Sequence, residues 1–457
     1  MHLAPSLVLA GSLTLLAGCG APDAPSDAGT DATNDDDASA LDVGVDAVAL
    51  DAPSADAPLI DAYEPDIGPM PVRITVERVT NQHRVVPGAM FGGWGPHLGH
   101  LVRAAGDLYW VDDLCDPSVA GDCDVNVNRR VGVFRRDPTG WVQIATIPLA
   151  NVQQNTATIA TETALHTYGV DVVAGRVTEC ITNLATTTAS CTPIAIPTGA
   201  SANYVGAAVS PAGDRLAWWT NVVDGGGGTF SYVVDYGGGW NGPRAGSIGG
   251  YNDFAYAHAG FVEGTSAVTF FGQVVSGLAP DWRFATLLGE ADLTSTEPAN
   301  FTNALVPPID DTIASTNDLF IDRITRDAHL LARAQSGEVV YYHRPATGPS
   351  AGTWSAPTIL PPTSFRARFL ESEAWIAIVS GPATGGMYVR RFLRSDVIAG
   401  EPLDFTRALP EALPIAFGTF VGIYPEADVT QDARVGGLHF CAVGDLGENV
   451  VTFFQLE

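Results

Sequence analysis

The chain has 457 residues and carries 51 acidic residues against 23 basic ones, a formal net charge of −28. No Lys- or Arg-rich stripe interrupts that acidity, which excludes a nucleic-acid partner and disfavours a polyanionic substrate. Hydrophobic residues at 46% and aromatics at 9% suffice for a core, while 49 Gly and 31 Pro mark a chain full of tight turns.

At the N-terminus an apolar run from Leu7 to Ala17 is too short to span a bilayer, and Leu16-Ala17-Gly18-Cys19 follows it. These four residues resemble the lipobox of bacterial lipoproteins. The resemblance implies that residues 1–18 are a cleaved signal peptide and that the Cys19 thiol is diacylated, giving a lipid anchor in the bacterial envelope, at the outer membrane or cell surface. An ordinary cleaved secretory signal is the alternative. Residues 20–70 hold twelve Asp and one Glu among Ala and Pro, with no Lys or Arg. So little hydrophobicity cannot offset the entropy of ordering, so residues 19–70 are expected to form a lipidated, disordered linker that holds the next domain off the membrane. A calcium-binding Asp-rich tail is the minor alternative.

From residue 71 to 457 the pattern changes to short runs rich in Val, Ile, Tyr, Phe and Trp, separated by turns, with no long stretch of helical period. The first, "VRITVERV" (Val72–Val79), precedes "FGGWGPHLGH" (Phe91–His100), where Trp94, His97 and His100 stand among glycines. With Asp112 and Asp113 on the next strand they form a candidate ligand pocket, and the two histidines are candidate metal ligands; turn packing is the structural reading of the same residues. Further on, Asp122, Asp124, Asn126 and Asn128 alternate, so on a strand they share one face and present hard oxygens suited to calcium. A solvated loop is the alternative there.

Cys115 and Cys123 bracket seven residues, and Cys180 and Cys191 bracket ten; each pair is expected to form a disulfide stapling a hairpin. Cys441, in the apolar run "GLHFCAV", reads as a buried free thiol.

Internal similarity selects the architecture. A hairpin whose return strand opens on tryptophan occurs three times, at Trp141, Trp240 and Trp354, and "EPANFTNAL" (Glu297–Leu305) matches "EPLDFTRAL" (Glu401–Leu409) 104 residues on, about two propeller blades. "SPAGDRLAWW" (Ser210–Trp219) resembles the strand pair of Tol-associated propellers, with Ala212 where that family carries Asp. The resemblance implies an all-β propeller, and the strand runs and repeats divide it into blades near 98–148, 157–197, 205–248, 254–307, 317–361 and 370–411, with a last blade joining the C-terminal strands to Val72–Val79. Seven blades is the expected count, with six or eight as alternatives.

"SAGTW" (Ser350–Trp354) is similar to the end of the box repeated in sialidase-like propellers but lacks its Asp, and no G-x-S-x-G, H-E-x-x-H or phosphate-loop motif is present. The expected role is therefore recognition of an extracellular carbohydrate or protein by a monomeric, membrane-anchored propeller. A glycoside hydrolase or lyase, or a scaffold in an envelope complex, are the alternatives.

Overall fold

The computed structural model describes residues 73–82, 100–115, 130–149, 156–171, 175–194, 205–210, 212–222, 228–248, 254–261, 267–276, 283–294, 299–305, 313–334, 338–360, 366–381, 385–417, 419–427, 438–445 and 449–456. Among these residues no helix is long and apolar enough to cross a membrane. The expected signal peptide and linker, residues 1–70, lie outside them.

Strand β1 (Ile74–Thr80) comes first. Blade 1 then consists of β2 (Leu101–Ala104), β3 (Asp107–Leu114), β4 (Arg130–Asp137) and β5 (Gly140–Ile147). Blade 2 is β6 (Ala157–Ala160), β7 (Ala164–Asp171), β8 (Arg176–Asn183) and β9 (Thr188–Ile194). Blade 3 is β10 (Val205–Val209), β11 (Arg215–Val222), β12 (Gly228–Asp235) and β13 (Asn241–Ile248). Blade 4 is β14 (Phe254–Phe261), β15 (Ala267–Ser276), β16 (Arg283–Asp292) and β17 (Asn300–Leu305). Blade 5 is β18 (Ile313–Ile321), β19 (Ala328–Ala334), β20 (Val339–Arg344) and the two-residue β21 (Thr358–Ile359). Blade 6 is β22 (Arg366–Glu371), β23 (Trp375–Gly381), β24 (Gly385–Leu393) and β25 (Glu411–Phe417). Blade 7 takes β26 (Thr419–Ala427), β27 (Leu438–Asp445) and β28 (Asn449–Leu456) from the C-terminus and β1 from the other end, with Ile74 opposite Leu456.

The described residues thus form a seven-bladed β-propeller. First strands of successive blades neighbour one another, β2 beside β6, β6 beside β10 and β10 beside β14, then β18 beside β22, β22 beside β26 and β26 beside β2, so they line the centre. Closure by β1 joins the two ends of the domain and removes open sheet edges. Two seams go further than packing. Blades 7 and 1 share a parallel pair, Leu101 opposite Glu426 and Val102 opposite Ala427, and blades 3 and 4 share another, Ser247 opposite Asn300.

Middle strands are buried on both faces because a blade lies on each side. In β3, Leu108 and Trp110 face blade 7, whereas Tyr109 and Val111 face the opposite way, toward blade 2. Such strands read as continuous apolar runs instead of alternating ones. The turns between first and second strands are held by local chemistry. Ala105 and Gly106 both take positive φ, the backbone of a two-residue hairpin whose twist suits the strands. In blade 3 the Ser210 hydroxyl accepts the Asp214 N–H at 3.0 Å, and Thr161 and Ser372 do the same for Ala164 and Trp375. That capping oxygen is the physical content of the "SPAGD" signal.

Two of the three repeated hairpin tryptophans are staples between blades. Trp141 of blade 1 packs edge-on against Phe453 of blade 7 with ring centres 5.3 Å apart, and Trp240 of blade 3 meets Tyr168 of blade 2 at 5.9 Å. Trp354 covers Leu319, Leu330 and Tyr342, the face of blade 5 turned away from blade 6.

Candidate functional site

His100 enters β2 at the seam between blades 7 and 1. Its carbonyl accepts the Val111 N–H at 2.8 Å, and its ring Nδ1 lies 2.5 Å from the Val111 carbonyl oxygen. A carbonyl only accepts, so in the neutral ring Nδ1 carries the proton and Nε2 is the basic nitrogen. The ring packs on Trp110 at 5.3 Å and meets Tyr424 of β26 edge-on at 4.9 Å, while Trp110 and Tyr424 are themselves 5.5 Å apart. Three aromatic groups from two blades thereby form one closed cluster.

Asp112 lies on the Trp110 face of β3 and Asp113 on the other. Exposures of 2% for His100, 1% for Asp112 and 3% for Asp113 put all three inside the packing between blades, behind any rim. The same seam buries Cys441, the free thiol on β27, whose pKa is pushed well up by burial and by nearby Asp112. Trp94 and His97, the other members of the expected pocket, lie outside the described residues, as do Asp122, Asp124, Asn126 and Asn128. Among the described residues no group of three or more His, Cys, Asp or Glu is placed to hold a metal. Cys180 and Cys191 are disulfide-bonded across β8 and β9; Cys115 is also disulfide-bonded, and Cys123 lies outside the described residues.

Sequence reasoning missed three buried polar networks, each spanning two blades. Below the aromatic cluster, Glu426 of β26 accepts the Arg103 Nε–H at 2.7 Å and the His439 Nδ1–H at 2.6 Å. Burial alone would raise the Glu426 carboxyl, but these donors hold it below the usual carboxylate range. Farther out, Arg136 of β4 forks onto Glu77 of β1 at 2.6 and 3.0 Å, donates to Gln455 at 2.9 Å and stacks over Phe453.

At the seam of blades 2 and 3, Glu179 accepts from His166, from the Tyr168 hydroxyl and from Trp240, each at 2.9 Å, and from Arg215 at 2.6 Å. Arg215 also pairs with Asp235, whose other oxygen caps the Gly237 and Gly239 N–H groups of the Trp240 hairpin. Residue types used for acid–base chemistry meet here, yet Tyr168 is fully buried with its pKa driven up by burial and by Glu179, and four donors occupy the carboxylate. This arrangement fastens blades.

At the seam of blades 5 and 6, Arg394 bridges Asp322 and Glu371, and Arg323 pairs with Glu371 at 3.2 Å. Asp327 accepts the Ala346 and Gly400 N–H groups, each at 2.7 Å, and lies 3.1 Å from His343 Nε2. His329, inside this seam, is pushed down to about 3 by burial and by His343 and so stays neutral, its Nδ1 sharing a hydrogen bond with the Tyr341 hydroxyl at 2.7 Å.

Neither a family model nor a curated protein matches the chain. Among solved structures it is similar to a polysaccharide lyase, with TM-score 0.53 and 13% identity over 84% of this chain and 98% of that one. AofleA from Arthrobotrys oligospora is a more distant match, with TM-score 0.40 and 9% identity over 75% of this chain and 90% of that one. At 13% identity the likeness to the polysaccharide lyase shows a shared fold alone.

Proposed function

We propose that this chain is an exported propeller, lipid-anchored through Cys19, that recognises a carbohydrate through Trp94 and His97, residues that shortly precede His100 in the sequence. The observation that carries the reading is the aromatic cluster of His100, Trp110 and Tyr424. It is a fixed aromatic cluster at the start of a centre-lining strand, and sugar recognition favours aromatic faces beside a few fixed polar groups. The disulfide between Cys180 and Cys191 supports an oxidising compartment outside the cytoplasm. Anchoring is tested by fractionation: Cys19→Ala should move the protein from membrane to soluble fraction, and unchanged membrane association would refute the anchor.

Polysaccharide cleavage is the second reading, favoured by the fold shared with a polysaccharide lyase. One experiment separates the two. The purified chain is co-sedimented with insoluble polysaccharides while the supernatant is assayed for new reducing ends and for the ultraviolet absorbance of a β-elimination product. Binding without product supports recognition, product makes the chain an enzyme, and neither result on any polysaccharide rejects carbohydrate as the ligand.

A further inference from the structure

We infer that Arg103, Glu426 and His439 form an acid-released latch on the seam where the propeller closes. Blade 7 is assembled from both ends of the domain, and among the described residues its first strand, β26, is held to β2 of blade 1 by two parallel residue pairs, one of which involves Glu426 itself. The carboxylate of Glu426, 4% exposed, is the hub that binds both flanking elements: the Arg103 guanidinium reaches it from β2 with Nε at 2.7 Å and a second nitrogen at 3.3 Å, and His439 reaches it from β27 at 2.6 Å. Arg103 also donates to the Gly106 carbonyl at 3.0 Å, which ties it to its own hairpin in blade 1. Further charged groups in this seam are Asp112 of β3, beside Cys441, and Arg136 of β4, which forks onto Glu77 of β1 and donates to Gln455, the residue opposite His439.

Protonating Glu426 removes the charge that both donors address and leaves the half-buried Arg103 guanidinium without its counter-ion. The sign follows from the carboxyl being held below its ordinary value of 4.5: the latch is fully closed above that value and is lost as pH falls through the lower, folded one. Tyr424 lies two residues before Glu426 on β26, and Cys441 two residues after His439 on β27, so opening loosens the floor under His100 and uncovers the thiol. On the carbohydrate reading above, the latch then sets whether the site is assembled, and ligand is released in acid.

Cys441 is a built-in reporter of the latch that needs no ligand. The full chain is exposed to an aromatic disulfide that reacts with thiols in acid, from neutral pH down through the carboxylate range, and labelling at Cys441 is read by peptide mass spectrometry. In the wild type, labelling is slow at neutral pH and rises about tenfold or more in acid, as expected for loss of a buried charge pair. Glu426→Gln labels fast already at neutral pH with a flattened profile, whereas Glu179→Gln, the same chemistry at the seam of blades 2 and 3, keeps the wild-type profile. Flat wild-type labelling, a wild-type profile in Glu426→Gln, or an equal effect of Glu179→Gln each overturns the latch, the last by making the opening global. If Cys441 responds as expected but no polysaccharide binds at any pH, the latch stands and the ligand reading falls.

Discussion

The backbone N–H of Leu403 in blade 6 donates to the hydroxyl of Tyr341 in blade 5 at 3.1 Å. Two blades earlier the Ala299 N–H of blade 4 donates to the hydroxyl of Tyr232 in blade 3 at 3.0 Å. Ala299 and Leu403 hold the same place in the repeat "EPANFTNAL" and "EPLDFTRAL", so the repeat marks one recurring device: an outer segment hung from a buried tyrosine of the preceding blade. Tyr341 also shares a hydrogen bond with His329 at 2.7 Å. Tyr341→Phe strands a buried amide and an imidazole nitrogen and is expected to cost about 2–3 kcal/mol. Urea unfolding of the variant checks the loss, and an unchanged midpoint would contradict the shared bond at His329.

Trp240→Ala removes the staple between blades 2 and 3. It takes away the packing on Tyr168, the stacking of Arg215 and one donor to Glu179 together. A loss of about 3 kcal/mol is expected, with increased amide exchange confined to β7, β8, β11 and β12. A change spread evenly over the propeller would show that the staple is not local.

Acid should unfasten the seam of blades 2 and 3. Burial works to raise Glu179 and Asp235, but their donors, His166 and Trp240 for Glu179 and Arg215 for Asp235, hold both carboxyls below their ordinary range. Stability from these groups is complete above that range and is lost as pH falls through the lower folded values. Glu179→Gln should unfold more easily than wild type at neutral pH, by about 2 kcal/mol, and the two melting curves should converge in acid. Parallel curves at all pH values would show that Glu179 carries no such linkage.

Reducing the Cys180–Cys191 bridge should destabilise the protein by about 2–3 kcal/mol, because a closed loop of this size limits the unfolded chain. Melting of the Cys180→Ser plus Cys191→Ser variant against wild type, both without reductant, measures it, because reductant would also open the bridge at Cys115; an unchanged melting temperature would contradict the expected loss.

The propeller was legible in the sequence because its signals are local. Hairpin tryptophans, a capping Ser before Gly-Asp and doubly buried apolar runs each act within one blade, and Val72–Val79 could be placed in blade 7 because a closed ring needs a partner for the last strand. Expected blade boundaries fall on observed strands except in blades 5 and 6, where β18 starts at Ile313, β22 starts at Arg366 and β25 runs to Phe417. The buried networks were not legible, since their partners are remote: Arg103 and Glu426 are 323 residues apart, and nothing near either one announces the other. His100 and Asp112 were singled out for their chemistry, and the structure brings them onto paired strands, but no local pattern disclosed how deeply the two adjoining blades bury them.

The measurement that tests the functional account most directly is the affinity of the purified chain for soluble polysaccharides by affinity electrophoresis, comparing wild type with Trp94→Ala and His97→Ala. The account predicts retardation of the wild type by at least one polysaccharide, and a loss of about tenfold or more in affinity for Trp94→Ala, because an aromatic face in a sugar site is worth at least 1.4 kcal/mol or so. Retardation that is unchanged in both variants would place the ligand elsewhere on the propeller and contradict the account.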